Sequence, residues 1–153
     1  MAEAKLPVTI RELRSEDRDA WQALWTAYLE FYESSVADVV YDTTFARLLG
    51  DDPQDYTCLV AEHDGKLVGL THYLFHRHNW RVENVVYLQD LYAVPEARGL
   101  GVGRALIEAV YKAADAAGCP SVYWTTQDDN VTAQKLYDRI ATKTNFIKYQ
   151  RPA

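Results

Sequence analysis

The chain has 153 residues, 48% of them apolar and 25% charged, and its 16 Lys and Arg against 22 Asp and Glu give a formal net charge of -6. One domain over residues 1–153 is expected, and disordered, collagenous or coiled-coil chains are excluded by composition. The negative balance repels phosphate polymers and anionic membranes, so neither nucleic acid nor a membrane is expected as a partner. The start, Met1-Ala2-Glu3-Ala4-Lys5, has no signal-peptide core. Val8 to Leu13 alternates apolar with polar and predicts a strand, and Ser15 behind it is a candidate N-cap. Trp21, Leu24, Trp25, Tyr28, Leu29 and Tyr32 recur at three- and four-residue spacing, which predicts a helix with an aromatic face running to about Glu33. A short helix is expected over Thr43 to Leu49. Tyr56 to Glu62 and Lys66 to His76 read as strands joined by a His63-Asp64-Gly65 turn, and Val85 to Ala93 as another strand. Val102 to Ala117 carries a helical apolar face closed by Gly118 and Pro120, Ser121 to Thr126 is a short strand, Asn130 caps a further helix, and Phe146 to Tyr149 suggests a last strand. The order predicts an α+β or α/β sheet of mixed direction with helices on its faces. Cys58 and Cys119 lack metal-ligand spacing and read as reduced core thiols of a cytoplasmic chain.

The segment richest in chemical meaning is Arg98-Gly99-Leu100-Gly101-Val102-Gly103-Arg104, set between a predicted strand and a predicted helix. Glycines let backbone approach a ligand, and the first amides of the following helix have no internal partner, so they face any anion placed there. The spacing completes neither G-x-G-x-x-G nor the G-x-x-x-x-G-K-[ST] of a P-loop, because Arg104 is followed by Ala105. A dinucleotide or ATP site is therefore disfavoured, and a glycine turn without a ligand is the plain alternative.

Arg98-x-x-Gly101-x-Gly103, with Leu91, Ala93 and Pro95 ahead of it, resembles the acyl-CoA motif of the GNAT acetyltransferases. The resemblance implies that family's fold, a mixed, mostly antiparallel sheet with helices on both faces, and acetyl-CoA as co-substrate. It further implies that Leu91, Tyr92 and Ala93 offer main-chain groups to pantetheine, and that Arg98, Gly99, Leu100, Gly101, Val102, Gly103 and Arg104 hold the diphosphate. Asn130 and Tyr137 resemble the family's pair near the sulfur. A narrower likeness around Trp80 and Tyr87-Leu88-Gln89-Asp90-Leu91 is similar to diamine acetyltransferases and to fungal histone and polyamine acetyltransferases. Those relatives often carry Glu where Gln89 stands, and a Gln cannot take a proton. Homodimers are frequent among the resembling proteins.

Acetyl transfer to an amine needs a neutral nucleophile, a stabilised carbonyl oxygen and a proton for the leaving thiolate. An alkyl ammonium has a pKa of about 10.4, so only about one in a thousand is neutral at pH 7. Gln89 is placed to orient water or the amine. Asp90 falls, by simple alternation, on the opposite face and reads either as a substrate contact or as a group tying down neighbouring backbone or a helix. Glu83, Glu30 and Glu33 are weaker candidates. A backbone N–H near Leu91 or Tyr92 is the candidate oxyanion donor. Tyr137 is the candidate general acid, its alternative role being an aromatic anchor. Phe31, Tyr32 and Trp80 are candidates for an aromatic wall around an ammonium, with ordinary packing as the alternative. His72, His76 and His78 share strand parity, but no carboxylate or Cys falls in register with them, so no metal is expected. The function expected is acetyl transfer from acetyl-CoA to a primary amine, polyamine-like or a Lys side chain, in a ternary complex. A non-catalytic acetyl-CoA-binding sensor and, more remotely, a nucleotide-binding domain are the alternatives.

Overall fold

Alternating and helical runs give, in the computed structural model, which describes residues 8–153, five strands and four helices. They are β1 (Thr9–Glu12), α1 (Arg18–Phe31), α2 (Asp38–Leu48), β2 (Thr57–His63), β3 (Lys66–His76), β4 (Val85–Ala93), α3 (Val102–Ala116), β5 (Val122–Tyr123) and α4 (Val131–Ile140). The Met1 to Lys5 stretch read for a leader lies outside the described residues. The strands form one sheet in the order β1-β2-β3-β4-β5, antiparallel from β1 to β4 and parallel only between β4 and β5. The expected mixed, mostly antiparallel α+β architecture is the observed one.

The β2–β3 turn follows from two residues that tolerate left-handed backbone: Asp64 has φ 51° and Gly65 φ 73°, the sign pattern of a type I′ hairpin turn. The aromatic face of α1 and the apolar face of α2 bury Trp21, Leu24, Trp25, Tyr41 and Phe45 against Cys58, Val60 and Leu70 on one side of the sheet. On the other side Ile107, Val110 and Ala114 of α3 pack on Tyr73, Val86 and Leu88, with Leu136, Tyr137 and Ile140 of α4 beside them. The start of α3 comes close to β3 because residue 69 is glycine. A Cβ there would lie 2.6 Å from Val102 Cγ1 and 2.8 Å from the Tyr92 carbonyl oxygen.

Three elements differ from expectation for local reasons. Residues Ser15–Asp17 form a 3-10 turn and α1 begins only at Arg18. The turn is closed not by Ser15 but by Asp17, whose carboxylate reaches back to accept the Arg14 N–H at 2.8 Å and takes a two-point contact from the Arg11 guanidinium at 2.8 and 2.9 Å. The second helix starts at Asp38, ahead of Thr43. β5 keeps only Val122 and Tyr123, and Phe146 to Tyr149 form no strand; Phe146, Ile147 and Tyr149 are exposed. Strand-forming side chains make a strand only where a neighbouring ladder accepts their hydrogen bonds, and β5 offers two residues of one.

Candidate active site

The strand that organises the site is β4, and its pairing with β3 contains one irregularity. His72 pairs with Asp90 and Tyr73 with Leu88, so Gln89 is an extra residue with no partner, a β-bulge. A bulge breaks the two-residue period. Val86 and Leu88 face the α3 side, whereas Asp90, which simple alternation would place beside them, meets His72 on the α1 side. After the bulge Leu91 and Ala93 return to the α3 side and Tyr92 packs against the α1 and α2 core.

Just before the bulge the neighbouring strand leaves. β4 and β5 pair only at Val86 with Val122 and Tyr87 with Tyr123. From Leu88 to Ala93 the other edge of β4 stays paired with β3, apart from the bulge at Gln89, as far as Ala93 and Gly69, while the edge toward β5 has no strand on it. Leu91, Tyr92 and Ala93 thus present main-chain donors and acceptors to an open wedge, the geometry into which an extended amide-bearing arm fits as a surrogate strand.

At the far end of the wedge the chain passes a 3-10 turn at Pro95–Ala97 and then Arg98 to Gly101 into α3. Gly101 caps α3 with φ 70° and no side chain caps the helix, so the amides of Val102, Gly103 and Arg104 begin a fifteen-residue dipole with no side-chain acceptor at its positive end. A Cβ on Gly101 would meet nothing within 4 Å, so the space over the turn is open. Arg98 and Arg104 are exposed, Arg104 bonding Glu108 at 2.8 Å. Bare amides, a helix dipole and two cations fit a diphosphate.

The remaining wall comes from α1 and α4. Asn130 caps α4 through its side-chain oxygen, which accepts the Ala133 N–H at 3.4 Å, and its amide donates to Thr126 at 3.4 Å. Tyr137 meets Trp124 edge-on at 5.3 Å. Burial, then the Tyr32 hydroxyl, push its phenol up to about 12. Tyr32 forms ring pairs with Tyr28 and Phe31, each at 5.1 Å. Burial and the Asp90 charge push the Tyr32 phenol up, and a hydrogen bond with Thr126 pulls it back. α1 therefore reaches across the wedge to the loop before α4.

Trp80 takes a different place from the one expected. It is 88% exposed, its ring partner is His78 at 5.4 Å, and with His76, Arg81, Val85, Ser121 and Tyr123 it lines a cavity at the opposite end of β4. The structure brings Phe31 and Tyr32 together without it. The three histidines also diverge: His72 bonds Asp90, His76 bonds Tyr123 at 2.7 Å, and His78 accepts the Trp80 N–H at 3.1 Å. Trp21, Tyr28 and His72, which sequence reasoning had not placed in the site, stand around Asp90. The seven-residue spacing of Trp21 and Tyr28 on one helix face carried part of that signal.

Comparison with known proteins adds three findings. The Acetyltransferase (GNAT) family profile matches residues 18–141. The chain is 40% identical over 145 residues to the D-amino-acid N-acetyltransferase HPA3 of Saccharomyces cerevisiae, covering 94% of this chain and 90% of that enzyme. It is 32% identical over 137 residues to the thialysine N-epsilon-acetyltransferase of Mus musculus, covering 84% and 79%. Among solved structures, the aminoglycoside N-acetyltransferase AAC(6')-Iy in complex with CoA superposes with a TM-score of 0.82 at 19% identity, covering 99% of both chains, a likeness of fold.

Proposed function

This chain belongs to the GNAT acetyltransferase family, as an acetyl-CoA-dependent N-acetyltransferase, and on that premise we propose that its acceptor is the primary amine of a small cationic molecule, polyamine-like or lysine-like. The observation that carries the reading is the wedge between β4 and β5, which runs from the uncapped start of α3 to a cluster of tyrosines around one buried carboxylate.

Acetyl-CoA, when bound, supplies the acetyl thioester. The amides of Val102, Gly103 and Arg104, with Arg98 and Arg104 alongside, hold its diphosphate, and the edge of Leu91 to Ala93 orients its arm. An N–H of Leu91 or Tyr92 facing the wedge polarises the acetyl carbonyl, a contribution of about 3 kcal/mol for such donors. Gln89, exposed on the bulge, positions the amine or the water that carries its proton away. The Tyr137 hydroxyl donates toward the sulfur. With its phenol near 12 against a thiol of about 8.5, complete transfer before bond breaking would cost about 5 kcal/mol, so the proton moves as the thiolate charge develops.

The amino-acid reading is favoured by a specific observation, the 40% identity to a D-amino-acid N-acetyltransferase over nearly the whole chain. The two readings separate in one assay: free-thiol release from acetyl-CoA with putrescine, spermidine, thialysine, D- and L-amino acids and a lysine peptide as acceptors. Preference for dibasic amines supports the first reading; preference for D-amino acids of any side chain replaces it. A single domain over 1–153, a cytoplasmic setting and a homodimer complete the proposal. The two cysteines are unpaired and buried, as in a reducing compartment, and the exposed Phe146, Ile147 and Tyr149 offer apolar area for a second copy. Light scattering tests the dimer.

A further inference from the structure

Resting on the amine-acceptor reading, we propose that Asp90 is the anion that binds the acceptor's ammonium, and that Trp21 and His72 are positioning residues that keep it charged and unpaired from within. The indole Nε1 of Trp21 lies 3.1 Å from His72 Nε2, and His72 Nδ1 lies 2.8 Å from Asp90 Oδ2. The three residues come from α1, β3 and β4 and are 0%, 3% and 4% exposed. An indole N–H can only donate, so His72 Nε2 must keep its lone pair and accept. The ring proton therefore sits on Nδ1 and is donated to Asp90, whose oxygen must accept it. A second proton on His72 would set two N–H groups against each other across 3.1 Å. The imidazole is held neutral, and the carboxylate keeps its full charge with a neutral donor behind it.

The contrast with the other buried carboxylate is direct. Asp17 is cancelled by the Arg11 guanidinium, which also bonds Glu62 at 2.8 Å. Among the described contacts of Asp90 there is no Lys or Arg. His72 faces it from β3, together with the Thr71 hydroxyl, which donates to its carbonyl oxygen at 2.8 Å. Tyr28 of α1, Tyr32 just after it, Tyr56 ahead of β2 and Cys58 within β2 all feel its charge. A buried anion without a countercharge is costly unless a cation is brought to it, and these tyrosines are half-buried, with ring faces that also attract one. The Tyr28 hydroxyl, 3.5 Å from the Gln89 carbonyl oxygen and near enough to feel the Asp90 charge, marks where the cation enters.

Asp90 binds the ammonium and does not deprotonate it. A carboxylate is a far weaker base than an alkyl amine, so the ammonium keeps its proton while the two are in contact. Such an interaction belongs to the ground state, so its loss appears in KM rather than in kcat.

The test has two arms. In the first, the imidazole 15N signals of His72 are recorded by NMR in the unmodified protein and in Trp21→Phe, and butylammonium is titrated in. The neutral Nδ1–H form in the unmodified protein, its loss in Trp21→Phe and a saturable shift with butylammonium support the proposal. A protonated or Nε2–H His72, or no shift, overturns it. Because no turnover is involved, this arm stands even if acetyl transfer to amines fails. In the second arm, Asp90→Asn is assayed with an alkyl amine and with a weakly basic aryl amine that is neutral at the assay pH. A KM at least 30-fold higher for the alkyl amine, with kcat and the aryl-amine KM within about twofold, is expected. His72→Asn, which keeps an N–H near the Nδ1 position, should retain more alkyl-amine affinity than His72→Leu. An equal loss with both amines, or a fall in kcat alone, would show that the cluster only supports the fold.

Discussion

Tyr137 carries two requirements that pull apart: its ring must pack and its hydroxyl must reach a sulfur. Burial raises its phenol to about 12, above the usual 10, so the group stays protonated through the whole physiological range. Its donor capacity is then lost only as pH rises toward that value. Tyr137→Phe is expected to lower kcat by about 10²-fold with acetyl-CoA affinity unchanged by calorimetry, and the alkaline side of the kcat profile up to pH 10 should not depend on Tyr137. An unchanged kcat removes it as the proton donor. At this scale the sequence was legible where a residue type is tied to one chemistry. Gly101 needs positive φ, Asn130 caps a helix, and Tyr137 faces inward at helical spacing. Asp90 was legible only as a candidate, because alternation assigned it to the wrong face; no glycine or proline in VVYLQDLYA announces that Gln89 is an extra residue. His72 was read with His76 and His78 by parity, whereas its partner lies on the next strand and its lock on a helix fifty-one positions away.

Elements in this chain are held by a few specific ties as well as by the core. Arg11 of β1 joins the turn before α1 to β2 through Asp17 and Glu62. Its guanidinium, through the hydrogen bond first, holds the Asp17 carboxyl below the usual carboxylate range. A depressed folded-state pKa contributes stability above the unfolded value of about 3.9, and that contribution is lost as pH falls through the lower folded value. Asp17→Asn should therefore destabilise by about 2–3 kcal/mol at pH 7 in urea unfolding, and the gap from the unmodified protein should close in acid. Gly69→Ala places a methyl against the Tyr92 carbonyl and Val102. The expected cost is about 1–3 kcal/mol, and weaker acetyl-CoA binding should accompany it, because the displaced part is the start of α3. The strands β3 and β4 agree with their sequence runs to the residue, since a long alternating segment between firm turns leaves one solution. β5 and the run from Phe146 to Tyr149 do not, because strand propensity there has no ladder to satisfy it. The start of α2 was hidden by Val39 and Val40, which favour strands intrinsically yet sit in its first turns.

For the whole molecule, a ligand that supplies the missing neighbour of β4 should behave as a structural part. At a hundredfold excess over Kd, acetyl-CoA should stabilise the fold by about 2.7 kcal/mol and raise Tm by several degrees. Gly101→Val, which forces a branched side chain into φ 70° over the open turn, should abolish that shift while leaving the unliganded protein folded. An intact shift would mean that the turn does not cradle the diphosphate. The net charge of -6 adds a long-range pull on cationic acceptors, felt as faster encounter at low salt. The bulge has a reach beyond its own side chain. The extra residue shifts the sequence parity of β4, so Leu88 and Asp90, two apart in the chain, face opposite helical layers. Trimming that one residue from the chain would set Asp90 next to Leu88, opposite His72 and Tyr73, so the acid would stay on the α1 side and Leu91 on the α3 side, and the bulge alone would be lost. The pairing does not need the extra residue to keep its faces, so its deletion should cost the site more than the fold.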